Sequence, residues 1–85
     1  MKPVKTIAEI ESSAKGAVQT LYGTDITDFK IRVLFPFPNE YKRDSWDVQV
    51  TFLSNGLQYT VDLIIQEKDG QITNVRLIDT MVPLP

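Results

Sequence analysis

Apolar and polar residues alternate strictly from Trp46 to Gln66, and the alternation is centred on Asn55-Gly56. Asn-Gly at the centre of a two-residue turn is the strongest short-range signal for a β-hairpin. Turn and pattern predict the same register, because a slip of one residue would exchange the two faces. One face then pairs Trp46 with Ile65, Val48 with Leu63, Val50 with Val61 and Phe52 with Tyr59. The other pairs Asp47 with Ile64, Gln49 with Asp62, Thr51 with Thr60 and Leu53 with Gln58.

The segment before the hairpin has the spacing of an amphipathic helix over residues 6–22. Thr6 and Glu9 fit a capping box at its start, and Gly23 suits its C-terminal end. Apolar residues recur at helical spacing along one side, namely Ile7, Ile10, Ala14, Ala17, Val18 and Leu21. We expect this stripe to pack against the apolar face of the hairpin.

A further strand is predicted on each side of the hairpin. Residues 29–35 alternate, with Phe29, Ile31, Val33 and Phe35 facing the helix and Lys30, Arg32 and Leu34 facing outward. Residues 36–45 contain two prolines, which cannot donate to a ladder, and predict a long loop.

After the hairpin, we expect a three-residue loop, Lys68-Asp69-Gly70, with a left-handed glycine in a β-bulge. The last strand, residues 71–80, then sets Leu63 opposite Val75 and Val61 opposite Leu77 on the helix face. Asp62 lies opposite Arg76 on the outer face.

These elements predict an α+β fold in a single domain over residues 1–85. One N-terminal helix packs on a four-stranded antiparallel meander sheet, in the order α-β-β-β-β. No segment approaches the ~20 apolar residues of a membrane helix, and the first residues lack the apolar centre of a signal peptide. We therefore expect a cytoplasmic protein with no membrane partner.

The composition limits the kinds of catalytic and metal site that the chain can form, because it has neither cysteine nor histidine. Disulfides and thiolate metal sites are excluded, and the commonest general base and transition-metal ligand are missing. We therefore expect that the protein is not an enzyme, that it has no catalytic residues and that it binds no cofactor. A net charge of −2 and a pI of about 4.9 argue against nucleic acid as a partner.

Two kinds of charged cluster are candidate sites. The acidic residues Asp25 and Asp28, or Glu40, Asp44 and Asp47, lack the spacing of a calcium loop, so no metal is expected. The basic residues Lys30, Arg32, Lys42 and Arg43 lie near aromatic side chains, as on a platform for single-stranded nucleic acid. Acidic residues interleave with them, however, and no nucleic-acid partner is expected.

Three features of the predicted sheet are candidate binding surfaces. The row Gln49, Asp62 and Arg76 on the outer face is either a polar recognition site or a solvated ion pair. Phe37 and Tyr41 in the predicted loop either close the end of the core or contact a protein partner. Five apolar residues expected on the outer face form a candidate contact patch, namely Leu34, Leu53, Ile64, Ile72 and Ile78.

The order of helix, Trp46-Asp47-Val48-Gln49-Val50, Tyr59-Thr60-Val61-Asp62-Leu63 and Asp69-Gly70-Gln71-Ile72 resembles that of small cystatin-like modules. It is similar to the PepSY domain and to the gas vesicle protein O family. The resemblance implies the helix-on-sheet fold. It does not imply that this protein inhibits proteases, because Gln49-Val50-Thr51-Phe52-Leu53 departs from the Gln-x-Val-x-Gly hairpin of cystatin inhibitors. The arginine-rich ending of the gas vesicle family is also missing.

Two functions remain open. The first is a non-catalytic protein-binding or assembly module, which contacts a protein partner or a second copy through the outer sheet face or the Phe37 loop. The alternative is a small-ligand binding protein with a pocket between helix and sheet, lined by Trp46, Phe52 and Tyr59. A large exposed patch over a filled core favours the first, and an unfilled cavity the second.

Overall fold

The computed structural model describes residues 6–82, which form one helix and four strands. These are α1 (Ile7–Tyr22), β1 (Thr27–Phe37), β2 (Ser45–Ser54), β3 (Leu57–Gln66) and β4 (Ile72–Met81). The strands form one antiparallel meander sheet in the order β1-β2-β3-β4. The α+β arrangement predicted from the sequence is confirmed. Over residues 6–82, no helix is both long and apolar enough to span a bilayer.

Local interactions set both ends of α1. The Glu9 N–H donates to Thr6 Oγ1 at 3.2 Å, and the Thr6 N–H donates to Glu9 Oε1 at 3.1 Å, which completes the predicted capping box. At the other end the Gly23 N–H donates to the Gln19 carbonyl at 2.9 Å, with a Gly23 φ of 108°. A side chain at this φ would be strained, and its Cβ would lie 2.9 Å from Asp25 Oδ1.

The hairpin of β2 and β3 has the predicted register in all eight pairs. Asn55 and Gly56 both have positive φ, 53° and 78°, as a type I′ turn requires. The helix face of these strands carries most of the core, because Val48, Val50, Phe52, Val61, Leu63 and Ile65 are fully buried. Ile10, Ala14 and Val18 of α1 pack on them.

The apolar stripe of α1 is buried only in its middle. Ile7 is 66% exposed and Leu21 is 58% exposed, although both have the same helical spacing as the buried residues. They lie in the first and last turns, so the expectation that the whole stripe packs on the sheet is wrong at its two ends.

A β-bulge in β1 makes the predicted face pattern of this strand wrong in its second half. The register shifts between Ile31 and Val33, so Arg32 is an extra residue on this strand. Leu34 therefore lies opposite Val48 on the helix face and packs against the core. Phe35 lies opposite Asp47 on the outer face and is 58% exposed.

β1 also continues through Pro36 to Phe37, where the sequence predicts a loop. Pro36 lies opposite Trp46 in the ladder. Because β1 is an edge strand, a residue without an N–H is tolerated there.

The pairing of β3 with β4 has the predicted central register, with Val61 opposite Leu77 and Asp62 opposite Arg76. The connecting loop, however, is one residue longer than predicted. The Gln66 N–H donates to the Gln71 carbonyl and the Gly70 N–H donates to the Gln66 carbonyl, each at 2.8 Å. Gly70 is left-handed, with a φ of 75°.

Two register shifts in β4 accommodate the loop and change the faces. The first lies between Asn74 and Ile72, and it sets Ile72 opposite Ile65 on the helix face, where it is half-buried against the core. The expected outward position of Ile72 is therefore wrong. The second shift lies between Leu77 and Asp79 and leaves Ile78 as an extra residue.

Candidate functional site

The apolar patch expected on the outer face does not form. Leu34 and Ile72 lie on the helix face, as described above. Ile64 does lie on the outer face, but it is buried, with 8% of its surface exposed. Leu53 is half-buried, and Ile78, at the second shift of β4, is 43% exposed.

Exposed apolar side chains concentrate instead on β4. Val75 and Leu77 are 38% and 48% exposed, although they lie on the same face as the buried core. Ile78 and Met81 are exposed to a similar degree. α1 packs over β2 and β3, and the surface of β4 beside it stays open to solvent. β4 is also the last strand of the sheet, so its outer backbone edge is unpaired among the described residues.

The opposite edge of the sheet has a different character. β1 contains Pro36, which lacks an N–H, and two register shifts that interrupt its regular geometry. Lys30 and Arg32 are exposed on it. Prolines, bulges and charges are the features that keep edge strands from pairing with other chains. β4 has two register shifts as well and exposes Arg76 and Asp79, so the edges differ in that β4 carries charges of both signs and has no proline between Ile72 and Met81.

The loop between β1 and β2 exposes an aromatic side chain. The Asn39 Oδ1 atom accepts hydrogen bonds from the N–H groups of Tyr41 and Lys42, at 2.9 and 3.0 Å. Tyr41 is 89% exposed and Phe37 is 41% exposed. Of the two alternatives considered for these residues, contact with a partner fits their exposure better than closure of the core.

An ion pair ties this loop to the end of β3. Arg43 Nε lies 2.6 Å from Glu67 Oε2, and the Glu67 N–H donates to the Asp44 carbonyl at 3.0 Å. The guanidinium also lies over the Trp46 ring, 4.6 Å from its centroid. Trp46 is half-buried rather than fully enclosed. This cluster fixes the base of the exposed loop.

The polar row on the outer face forms with the predicted neighbours, since Asp62 lies between Gln49 and Arg76 in the ladder. Asp62 is only 6% exposed, so the interpretation as a solvated ion pair is wrong. Burial, and after it the neighbouring Asp47 carboxyl, which favours the protonated form, raise the pKa of Asp62 from 3.8 to about 7. Arg76 acts in the opposite direction and lowers the pKa.

The Asp62 carboxyl, which lies beside that of Asp47, can therefore hold a proton near neutral pH. Asp47 lies diagonally across the ladder from Asp62, and its Oδ1 atom is buried without a hydrogen-bond partner within the described part of the chain. Sequence reasoning missed this pair, because neither residue stands directly opposite the other. The diagonal spacing on one face was the signal that could have indicated it.

The positions proposed to line a ligand pocket do not surround one space. The ring of Tyr22 packs on those of Phe52 and Tyr59, with centroids 5.2 and 5.4 Å away, and Phe52 stacks on Tyr59 at 5.3 Å. Trp46 stands six residues along β2 from Phe52, about 20 Å at strand spacing. The three predicted residues thus belong to two separate parts of the interface between helix and sheet.

The outer face has an open cleft of about 330 Å³ near the end of β4, lined by Lys30, Ile31, Arg32, Thr51, Gln58, Thr60 and Met81. Among residues 6–82, no group of three or more histidine, cysteine or acidic side chains could hold a metal ion. Asp28 has a φ of 58° and lies in the first shift of β1, so it takes a backbone role.

Comparison with known proteins gives no match to this chain among family models, curated proteins or solved structures. The resemblance to small cystatin-like modules therefore stays a prediction.

Proposed function

We propose that this protein is a non-catalytic protein-binding or assembly module, and that β4 is its contact strand. The observation that carries the proposal is the exposure of β4 on both faces. Val75 and Leu77 are exposed on the helix side, and Met81 is exposed on the outer face opposite Gln58. The contact strand is thus at the edge of the sheet rather than in the patch that the sequence predicts.

The chemistry of an edge strand favours binding by strand addition. An added strand satisfies the unpaired N–H and C=O groups of the edge, and the alternating side chains supply apolar contacts. β4 is ten residues long, which gives a long ladder. The partner is therefore an extended protein segment with apolar side chains.

The loop between β1 and β2 supports a second, smaller contact. Tyr41 is 89% exposed at the opposite edge of the sheet, on a loop held by Arg43 and Glu67. A rigidly based loop with an exposed aromatic side chain is typical of protein recognition. The small-ligand alternative is less favoured, because the rings of Tyr22, Phe52 and Tyr59 fill the space beside them.

The test is co-purification from the native cell with quantitative mass spectrometry, comparing wild type with Leu77→Lys. Leu77 is 48% exposed, so we expect the substitution to leave the fold intact and to place a charge in the proposed contact. We expect a protein, either a different one or a second copy carrying another tag, to be recovered with wild type and lost with the variant.

Leu21→Lys is the matched control, because Leu21 is 58% exposed on α1 and receives the same substitution. It should recover the same protein as wild type. Equal recovery with all three forms contradicts the role of β4. If recovery were lost only with Tyr41→Ala, the contact would instead lie in the loop between β1 and β2.

A further inference from the structure

We propose that the segment added to β4 is β4 of a second copy of this chain, paired antiparallel in one defined register. This inference rests on the proposed function and names its partner. It is carried by the distribution of faces and charges along β4, which is self-complementary.

The bulge at Ile78 decides which residues share a face. Arg76 and Asp79 lie opposite Asp62 and Thr60 of β3, which both belong to the outer face. In a regular strand, two residues three positions apart would point to opposite faces. Because Ile78 is an extra residue, Arg76 and Asp79 instead lie on the same face.

A two-fold axis perpendicular to the sheet keeps the outer faces of two copies on one side. With this axis between Leu77 and Ile78, Arg76 lies opposite Asp79 of the partner subunit, and the symmetry repeats the pair. Val75 lies opposite Thr80 of the partner subunit, and both are on the helix face. Asn74 lies opposite Met81 of the partner subunit, both on the outer face.

Three other registers each lose either the agreement of faces or the pairing of opposite charges. A shift of one residue pairs Arg76 with Thr80 of the partner subunit, and their side chains belong to different faces. A shift that pairs Arg76 with itself places like charges opposite each other, which destabilises a ladder. A shift of two residues pairs Arg76 with Met81 of the partner subunit and has no opposite charges. Charge and face together select the first register.

The other edge does not offer this symmetry. β1 exposes the two cations Lys30 and Arg32, and Pro36 interrupts its donors. Pairing of β4 with β4 joins the two sheets into one of eight strands, with both helices on the same side. The exposed Val75 and Leu77 then pack across the two-fold axis against the second copy.

Cysteine cross-linking tests the register directly, because the chain has no cysteine of its own. Val75→Cys and Thr80→Cys are prepared as separate single variants and mixed under mild oxidation. We expect a disulfide-linked heterodimer, since directly opposite residues are within the 4.4–6.8 Å range of disulfide Cα distances. Each variant alone is the control. Two copies of position 75 lie five residues apart along the ladder, about 17 Å, and should not cross-link efficiently.

Charge exchange tests the ion pairs by sedimentation analysis. Asp79→Arg should raise the dimer dissociation constant by about tenfold or more, because it places two cations opposite each other twice. Arg76→Glu should do the same with anions. An equimolar mixture of the two variants restores opposite charges at both symmetric positions, and should form heterodimers about as well as wild type.

The outcomes separate this inference from the proposed function. A dimer that cross-links through the mixed cysteines supports both. A dimer that cross-links only through Val75→Cys alone overturns the register. A monomer at every concentration up to about 1 mM overturns self-pairing. Loss of a different protein with Leu77→Lys would still support the proposed function in that case. Arg76 lies opposite Asp62 in the ladder. If Arg76→Glu does not fold for this reason, the cysteine experiment tests the register without it.

Discussion

The residue with the most unusual chemistry in this protein is Asp62, which lies in the central part of the sheet with 6% of its surface exposed. The three groups that determine its protonation come from different strands. Burial in β3 and the Asp47 carboxyl of β2 raise its pKa to about 7, and the Arg76 charge of β4 lowers it. Near neutral pH the Asp62 side chain is therefore partly protonated.

This pKa predicts that the contribution of Asp62 to the free energy of unfolding falls as the pH rises. The folded protein binds a proton that the unfolded chain, with a pKa of 3.8, has lost, so stability decreases between about pH 4 and pH 7 and then levels off. Asp62→Asn removes this dependence. We expect it to stabilise the protein by about 2 kcal/mol at pH 8 and to have little effect near pH 4, as measured by urea unfolding at several pH values.

At a protein concentration low enough to keep β4 unpaired, Asp79→Asn is the matched control, because Asp79 is an exposed acidic residue on β4. It should leave the pH dependence of the wild type unchanged. If Asp62→Asn and Asp79→Asn have the same pH profile as wild type, Asp62 does not hold a proton near neutral pH.

A second residue-scale prediction concerns Ile64, which the sequence places on the solvent side of the sheet. Because Ile64 is only 8% exposed, Ile64→Lys buries a charge and should destabilise the fold by about 3 kcal/mol or more. At a protein concentration low enough to keep β4 unpaired, Ile78→Lys, at a site that is 43% exposed, should cost less than about 1 kcal/mol. Similar unfolding midpoints for the two variants would contradict the buried position of Ile64.

At the scale of the elements, backbone conformation is set locally in turns and caps but not in the edge strands. The type I′ turn follows from Asn55-Gly56, because these residues accept positive φ at low cost. In β1, by contrast, Val33, Leu34 and Phe35 are all apolar, so alternation alone does not determine which of them is buried. The bulge at Arg32 buries part of Leu34 and exposes Phe35.

Two glycines make this local control testable with one substitution. Gly56 has a φ of 78°, whereas Gly16 lies within α1, and neither has a neighbouring atom within 4 Å of an added Cβ. Gly56→Ala should therefore destabilise the fold by about 1–2 kcal/mol through backbone strain alone. Gly16→Ala should stabilise it by about 0.5–1 kcal/mol, since alanine favours a helix. Thermal unfolding of both variants measures the opposite signs.

At the scale of the whole molecule, one helix is too narrow for the sheet. A helix with its side chains is about 10 Å wide, and strands are about 4.8 Å apart, so a helix covers roughly two or three strands. α1 lies over β2 and β3, and partly buried residues of β1 such as Ile31 and Leu34 pack against the same core. β4 is left with exposed side chains on the helix side.

Leu63 and Leu77 test this uneven coverage, because both lie on the helix face. Leu63 is fully buried and Leu77 is 48% exposed. Leu63→Ala should cost about 2–5 kcal/mol through lost burial and the cavity it leaves, and Leu77→Ala less than about 1 kcal/mol. Denaturant unfolding at low protein concentration makes the comparison without a contribution from association. Equal costs would mean that the helix covers β4.

The sequence by itself determined where α1 begins and ends and how it is capped. It also determined the Asn55-Gly56 turn and the register in which β2 pairs with β3. These depend on residues near each other in the chain and on a period that only one register satisfies. The tertiary structure alone decided the bulges at Arg32 and Ile78, the strand that α1 leaves uncovered and the pKa of Asp62. Each of these depends on which residues of elements distant in the sequence are buried against one another. The row Gln49, Asp62 and Arg76 was therefore predictable as neighbours, but its burial and the exposure of β4 were not.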